Sequence, residues 1–404
     1  TFDRKLKLFR LLVSMGFKEI EVAMPCANQT EYDFARYLAQ TPELVPEDVS
    51  VQVITPCRKE AIARTVDSVR GLANVIIFTF LASSDNYRQN ILGLSQSEWI
   101  ENARQATKYI RTLTKDAPDA SVTRWILNFG FEDYANARLE PVVKCAEAVK
   151  QTWAPTKDER MIFALASSVE VSTPNIFADQ VEQFHQALSD RETWRLSVHT
   201  HNDRGGAVAS AELAALAGAD RVEGCLFGNG ERAGNMDLVT FALNLFTQGI
   251  DTGLDLSRLD HIRKVYEDTT LMTVHPRTPY VGAYYLRAFS GMHQNAIIKG
   301  LEQRNADQHC QTPPVHGLNN STWRVPYLPI DPEDIGRTME DVIGINNQSG
   351  KTGVKWFVET RTGDIISAQD AKALTKVMKE RSSLVELDLS ALQKNLWRER
   401  LILK

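Results

Sequence analysis

Apolar positions along the first two-thirds of the chain follow two alternating rhythms. Short runs rich in β-branched residues are predicted as strands: Glu19–Met24, Val51–Thr55, Val75–Leu81, Arg124–Phe129, Met161–Ala166, Leu196–His201 and Arg221–Phe227. Polar or Gly/Pro residues then lead into stretches whose apolar residues recur three and four apart. These are predicted as helices: Tyr32–Leu38, Glu60–Gly71, Gln96–Leu113, Leu139–Thr152, Asn175–Ala187, Ala207–Ala217 and Met236–Gln248. Strands that alternate with helices pair in parallel through right-handed crossovers. Several of these strands are apolar without strict alternation, as strands covered on both faces must be. The pattern predicts an α/β fold for residues 1–277: a (β/α)8 barrel whose first strand is missing from the chain. A doubly wound open sheet is the competing reading, but no Gly-x-Gly-x-x-Gly follows an early strand.

After Pro276 the rhythm stops. Residues 278–404 read as small subdomains that pack on the barrel or on a second subunit. The expected pieces are a helix from His293 to about Leu301, a polar linker over 304–321 and an extended segment Trp323–Ile330. A capped helix start at Asp331, a turn at Gln348–Gly353, and helices at Ala368–Lys379 and Leu389–Leu401 follow.

Composition narrows the partners. With a net charge of −5 and no basic stripe, nucleic acid is not an expected partner. No apolar run approaches the ~20 residues of a transmembrane helix. Five scattered cysteines read as reduced thiols of an intracellular protein rather than a disulfide framework. The opening residues carry no signal-peptide or targeting pattern, and the helix-like stretch Phe2–Val13 reads as mid-protein sequence. The expected compartment is the cytoplasm, with the mitochondrial matrix as the alternative, and the chain is expected to be part of a longer one.

The polar residues collect at the carboxyl ends of the strands, where barrel active sites lie: Glu21, Gln29, Asn128, Glu132, Ser167, Ser168, Glu170, His199, His201 and Asn235. The sharpest signal is His199-Thr-His201-Asn-Asp203. Residues two apart on a strand share a face, so the two imidazoles can hold one metal ion. Asn235 and Asp203 offer oxygen donors, and two nitrogens with oxygens suit Zn, Mn or Fe, or Mg with more waters. The Gly228-Asn-Gly-Glu-Arg-Ala-Gly-Asn235 loop reads as a tight turn or as a loop that lets backbone N–H groups approach an anion. Glu132, at a strand end, is a candidate for proton transfer. His293 and Tyr327 take part only if the tail closes over the barrel mouth.

Longer motifs extend this picture. They are Glu19-Ile-Glu-Val22 with Asn28-Gln-Thr30, Val169-Glu-Val-Ser-Thr-Pro-Asn175, His275-Pro-Arg-Thr-Pro-Tyr280, Ala288-Phe-Ser-Gly-Met-His-Gln294, Val325-Pro-Tyr-Leu-Pro-Ile-Asp331 and Asn347-Gln-Ser-Gly-Lys351. With the two loops above, they make the chain resemble 2-isopropylmalate synthase, of the acyl-CoA-condensing group that includes homocitrate and citramalate synthases. The resemblance implies a barrel with small subdomains, a homodimer, and a Claisen-type condensation of acetyl-CoA with 2-oxoisovalerate followed by thioester hydrolysis. It implies a divalent metal (Mg, Mn or Zn) held by His199, His201 and Asn235. It makes Glu132, His293 and Tyr327 catalytic, the last two reaching the site from the partner chain, and aligns Ser168 with a keto-acid contact. The family's Arg-Asp-Gly-x-Gln strand end, with its metal-binding Asp, has no counterpart here, and neither does the leucine-binding regulatory domain. Phe78 and Leu81 fall where the family has polar pocket groups, and Phe131, Ala23 and Met339 also depart from it. The pocket changes imply a larger or more apolar 2-oxo acid as one alternative, and the missing Arg-Asp-Gly-x-Gln segment implies a catalytically inactive partner subunit as another.

Overall fold

The structure, a computed structural model, describes residues 1–118, 122–307, 323–363 and 365–381. Cys310 and the expected helix Leu389–Leu401 lie outside them, as does most of the 304–321 linker. The described residues form two compact units. The first comprises Thr1–Ala242, Gly253–Asp255 and Val265–Met272, and the second Leu243–Thr252, Leu256–Lys264 and the residues from Thr273 onward.

The first unit holds one parallel sheet of seven strands among the described residues, in sequential order. The strands are β1 (Glu19–Ala23), β2 (Ser50–Pro56), β3 (Asn74–Ala82), β4 (Arg124–Glu132), β5 (Met161–Ala166), β6 (Trp194–His199) and β7 (Arg221–Glu223). Helices α1 (Phe2–Ser14), α2 (Gln29–Gln40), α3 (Lys59–Ser68), α4 (Gln96–Leu113), α5 (Leu139–Trp153), α6 (Pro174–Ala187) and α7 (Ala207–Leu216) alternate with them. Helix starts follow local chemistry. The Asn28 side chain accepts from the Glu31 N–H at the start of α2, and Ser95 with Glu98 forms a capping box on α4. α8 (Leu238–Thr247) and α9 (Leu259–Thr270) come next. α9 is a helix the sequence reading passed over, although Leu259, Ile262 and Tyr266 have helical spacing and are buried. The second unit carries α10 (Gly291–Asp307), α11 (Lys351–Thr362) and α12 (Ala368–Arg381).

The sheet curls on itself. Glu19 of β1 accepts hydrogen bonds from Arg195 of β6 and Arg221 of β7. Asn128 of β4 reaches both Gln52 of β2 and Glu223 of β7, at 3.3 Å each. Such side chains must share the concave face, and register carries that face to the other strands. Asn128 pairs with Phe78 and with Ile162, and Ile76 pairs with Ile126. Ile76, Ile126 and Ile162 form a small interior layer of their own. The opposite face packs on the helices through Trp99, Phe129, Phe131, Phe163, Phe184 and Trp194.

This alternation corrects two expectations about the pocket. Leu81 and Phe131 pair in register and face the helices. Phe131 is fully buried between Trp99, Phe129, Phe163 and Phe184. Phe80, one residue before Leu81, shares the concave face with Phe78. Ala23 also lies in the helix-facing core, and Met339 lies in the second unit.

Glu19 supplies a pH test of the curled sheet. Burial alone would raise its pKa, but Arg221 and Arg195 outweigh burial and lower it below the usual 4.5. A carboxylate with a depressed folded-state pKa stabilises the fold above its unfolded pKa, and that contribution is lost as pH falls through the folded value. Wild type should therefore exceed Glu19→Gln by about 2 kcal/mol in urea unfolding at pH 7. The gap should close below about pH 4.5. A gap constant down to pH 3 would refute the ionic origin of this cross-sheet tie.

Candidate functional site

β6 ends at His199, short of the expected His201. His201 continues as an antiparallel bridge to Asn235. The Met236 N–H donates to the Thr200 carbonyl and the Asn202 N–H to the Gly234 carbonyl, at 2.9 Å each. The two imidazoles still face one another, with ring centroids 5.0 Å apart. β7 likewise stops at Glu223 instead of reaching Phe227, because a short 3-10 turn takes over at Leu226–Gly228.

Asn235 is brought in by the glycine loop. A Cβ at Gly230, where φ is +151°, would meet Asn235 Oδ1 at 2.4 Å, and one at Gly234 (φ +93°) would strike the Gly228 carbonyl at 2.0 Å. Glycine at both places lets the loop fold back on itself. The Asn235 amide nitrogen lies 3.3 Å from His199 Nε2, and Asn235 Oδ1 is buried with no hydrogen-bond partner among the described residues.

The His201 segment is held from two sides. Ser167 Oγ accepts from the His201 backbone N–H at 3.0 Å. Buried Glu170 accepts from the Arg204 and Gly206 N–H groups. Arg232, itself in the left-handed region at φ +53°, donates to both oxygens of Asp203 at 2.7 and 3.1 Å and to the Ser168 carbonyl. Its Nη2 also lies 3.0 Å from His201 Nδ1. Asp203, expected as an oxygen donor to a metal, is therefore taken up in bracing these loops, and Arg232 holds its carboxyl down at about 2.

Beneath the histidines lies a polar layer. Glu223 Oε2 stands 3.6 Å from His199 Nδ1. Its other oxygen accepts from Ser197 Oγ at 2.9 Å, from Asn128 Nδ2 at 3.3 Å, and from Arg221. Burial works to raise Glu223, but Arg221 and His199 hold it at about 2. Glu21 accepts from Gln52 Nε2 at 2.7 Å. Burial pulls His199 down, and Glu223 overcomes it to raise the imidazole above 6.5. His201 falls to about 4 through burial, His199 and Arg232.

Glu132 ends β4, and its carboxyl is raised by burial and by Asp133 and Glu231. Ser168 (φ +54°) sits past the end of β5, and its Oγ accepts from the Asp133 N–H at 2.7 Å. The loop carrying Ser168 is thus tied to the loop after Glu132. Phe78 and Phe80 stand with centroids 6.1 Å apart. Gly130 makes room for them, since a Cβ there would meet Phe78 Cε2 at 2.4 Å. Gln29, expected with the site, is exposed and tied to Asp33 and Arg64. His293 and Tyr327 belong to the second unit, where their rings stack at 4.0 Å.

The donor set His199 Nε2, His201 and the unpartnered Asn235 Oδ1 fits a divalent cation with open positions. Among the described residues no group of three or more His, Cys, Asp or Glu stands ready to hold one. Sequence reasoning missed Glu223, Arg221 and Arg232. A signal was present in β7, where two charged residues lie two apart on a strand of a barrel, and therefore on one face.

A parallel sheet with helices on its outer face and a His–x–His at a strand's carboxyl end is a barrel-type α/β layout with its polar residues gathered at one end. The profile of the HMGL-like family matches residues 1–265, and the chain belongs to that family. The profile "Alpha-isopropylmalate synthase, post-catalytic domain-like" matches residues 284–359. Isopropyl malate synthase AMT7 of Alternaria alternata is 61% identical over 95% of this chain and 66% of its own length. Isopropyl malate synthase htyA of Aspergillus rugulosus is 54% identical over 97% of this chain and 65% of its own length. The 2-isopropylmalate synthase 2, mitochondrial, of Saccharomyces cerevisiae is 45% identical over 89% of this chain and 58% of its own length. The chain thus spans about two thirds or less of the curated relatives it matches. Among solved structures, an HMG-CoA lyase from Bacillus subtilis superposes with TM-score 0.53 over 68% of this chain and 88% of that one, at 16% identity, which shows the shared fold. No helix among the described residues is long and apolar enough to cross a membrane.

Proposed function

We propose that the chain is an acyltransferase that condenses acetyl-CoA with a 2-oxo acid and hydrolyses the thioester with water, 2-oxoisovalerate being the first candidate, giving 2-isopropylmalate and free CoA. The observation that carries the reading is the His199–His201–Asn235 cluster with its buried, unpartnered Asn235 oxygen. The relatives named isopropylmalate synthase support it. These three residues would hold a divalent cation, which would supply Lewis-acid polarisation of the keto group. Glu132, with its raised carboxyl, is assigned the proton transfer that turns the acetyl methyl into a nucleophile. Ser168 is assigned the keto acid, its left-handed backbone and Asp133 contact fixing the hydroxyl. His293 and Tyr327, stacked together, are assigned to proton transfer at the thioester side, supplied from the partner of a homodimer. Residues 1–277 are the catalytic part in this reading, and 278–404 the linker part.

A different 2-oxo acid is a second reading, and one specific observation favours it. Phe78 and Phe80 wall the concave face against Gly130, where the backbone alone leaves space for their rings. Such a wall suits an apolar side chain, and one methylene is worth only about 1–3 kcal/mol in a pocket of this kind. A keto-acid panel, read by released CoA thiol, decides. If 2-oxoisovalerate turns over no better than aryl or longer acids, the first substrate is wrong. Phe78→Ala should change the ratio of kcat/KM between the large and small acids roughly tenfold or more. An unchanged ratio would remove Phe78 from the pocket.

A further inference from the structure

We infer that Glu223 is a positioning residue for the candidate metal centre, fixing His199 with its proton on Nδ1 and its Nε2 lone pair turned toward Asn235. The inference rests on the metal reading above. An ionised carboxylate only accepts hydrogen bonds. Glu223 Oε2 lies 3.6 Å from His199 Nδ1, beyond hydrogen-bond length but within ion-pair range, so its negative charge favours the proton on that nitrogen over Nε2. The carboxylate is not free to turn away. Its second oxygen is held by Ser197 of β6, Asn128 of β4 and Arg221 of β7, all on the rigid sheet. On the far side of the ring, Nε2 faces the Asn235 amide nitrogen, a donor, at 3.3 Å. Donor and acceptor partners therefore agree on one tautomer.

His201 shows the opposite pattern. Its Nδ1 faces Arg232 Nη2 at 3.0 Å, and a guanidinium only donates. The His201 proton therefore sits on Nε2. The two histidines carry opposite tautomers, so His201 ligates a cation only after Nδ1 leaves Arg232 or the Nε2 proton is lost, whereas the Nε2 lone pair of His199 is already in place. Carboxylates behind metal-binding histidines set ring orientation and basicity, and their loss costs about 10–100-fold in metal affinity. Neutralising Glu223 leaves Arg221 paired with Glu19, so the sheet interior keeps its main ionic tie.

The test uses nitrogen-15 histidine NMR of the metal-free protein at pH 8, with signals assigned by His199→Asn and His201→Asn. Wild type should show Nδ1–H at His199 and Nε2–H at His201. Glu223→Gln should shift His199 toward Nε2–H, leave His201 unchanged, and weaken Mn2+ binding in calorimetry by about 10–100-fold. Ser197→Ala, which touches the same carboxylate, should keep His199 as Nδ1–H. A wild-type His199 protonated on Nε2 overturns the inference without any variant, and so does Glu223→Gln binding Mn2+ as tightly as wild type. If wild type shows both tautomers as expected yet binds no divalent cation, the metal reading falls and the role of Glu223 as a metal-positioning residue falls with it. The tautomer result tells that failure apart from a misplaced proton.

Discussion

His201→Ala is expected to bind no divalent cation at concentrations that saturate wild type, and to lose condensation of acetyl-CoA with any 2-oxo acid. A Lewis acid at a carbonyl contributes several kcal/mol to the barrier. At about 1.4 kcal/mol per tenfold, that corresponds to a loss on the order of 10³-fold in kcat. The fold should be untouched, because the His201 side chain is only half-buried and its backbone carries the bonds that hold the loop. Metal content by elemental analysis, CoA-thiol release and circular dichroism together check this. A variant that keeps wild-type metal content while losing activity would put the cation elsewhere.

Phe131→Ala should destabilise the fold more than Glu19→Gln, His201→Ala or Phe78→Ala. The ring is fully buried and touches Trp99, Phe129, Phe163 and Phe184 at centroid distances of 5.3 to 6.4 Å. Truncating a buried Phe costs about 3–5 kcal/mol through lost transfer energy and the cavity left behind. The urea midpoint should fall accordingly. Phe78→Ala, on the other face of the same pair of strands, should cost far less stability and change substrate preference instead. If Phe131→Ala leaves stability intact and alters the keto-acid profile, the outward orientation of Phe131 is wrong.

The contrast between Phe78 and Phe131 shows how far a single sequence reaches. The strand and helix rhythm was legible because apolar period, helix caps and Gly/Pro punctuation are local properties. Strands at Met161–Ala166 and helices at Gln96–Leu113 and Leu139–Trp153 fall at or within one residue of the expected ends. The His199–His201 pair and Asn235 were legible because two residues apart on extended chain face the same way and a glycine loop returns the chain sharply. α9 was passed over even though its spacing was there to read.

By itself the sequence determined the barrel-type alternation, the histidine pair, the glycine loop that returns Asn235, and the family membership of residues 1–265. Only the tertiary structure decided which face of each strand looks inward. In strands apolar on both faces, hydrophobicity carries no sign, so Leu81 and Phe131 could not be told from Phe78 and Phe80 until register linked them to Asn128. The charged layer of Glu19, Arg195, Arg221 and Glu223 was legible only as far as Arg221 and Glu223 sharing a face of β7, and not in its pairing. Its partners lie up to 202 residues apart, and a buried charge pairs with what curvature brings near it, not with what precedes it along the chain.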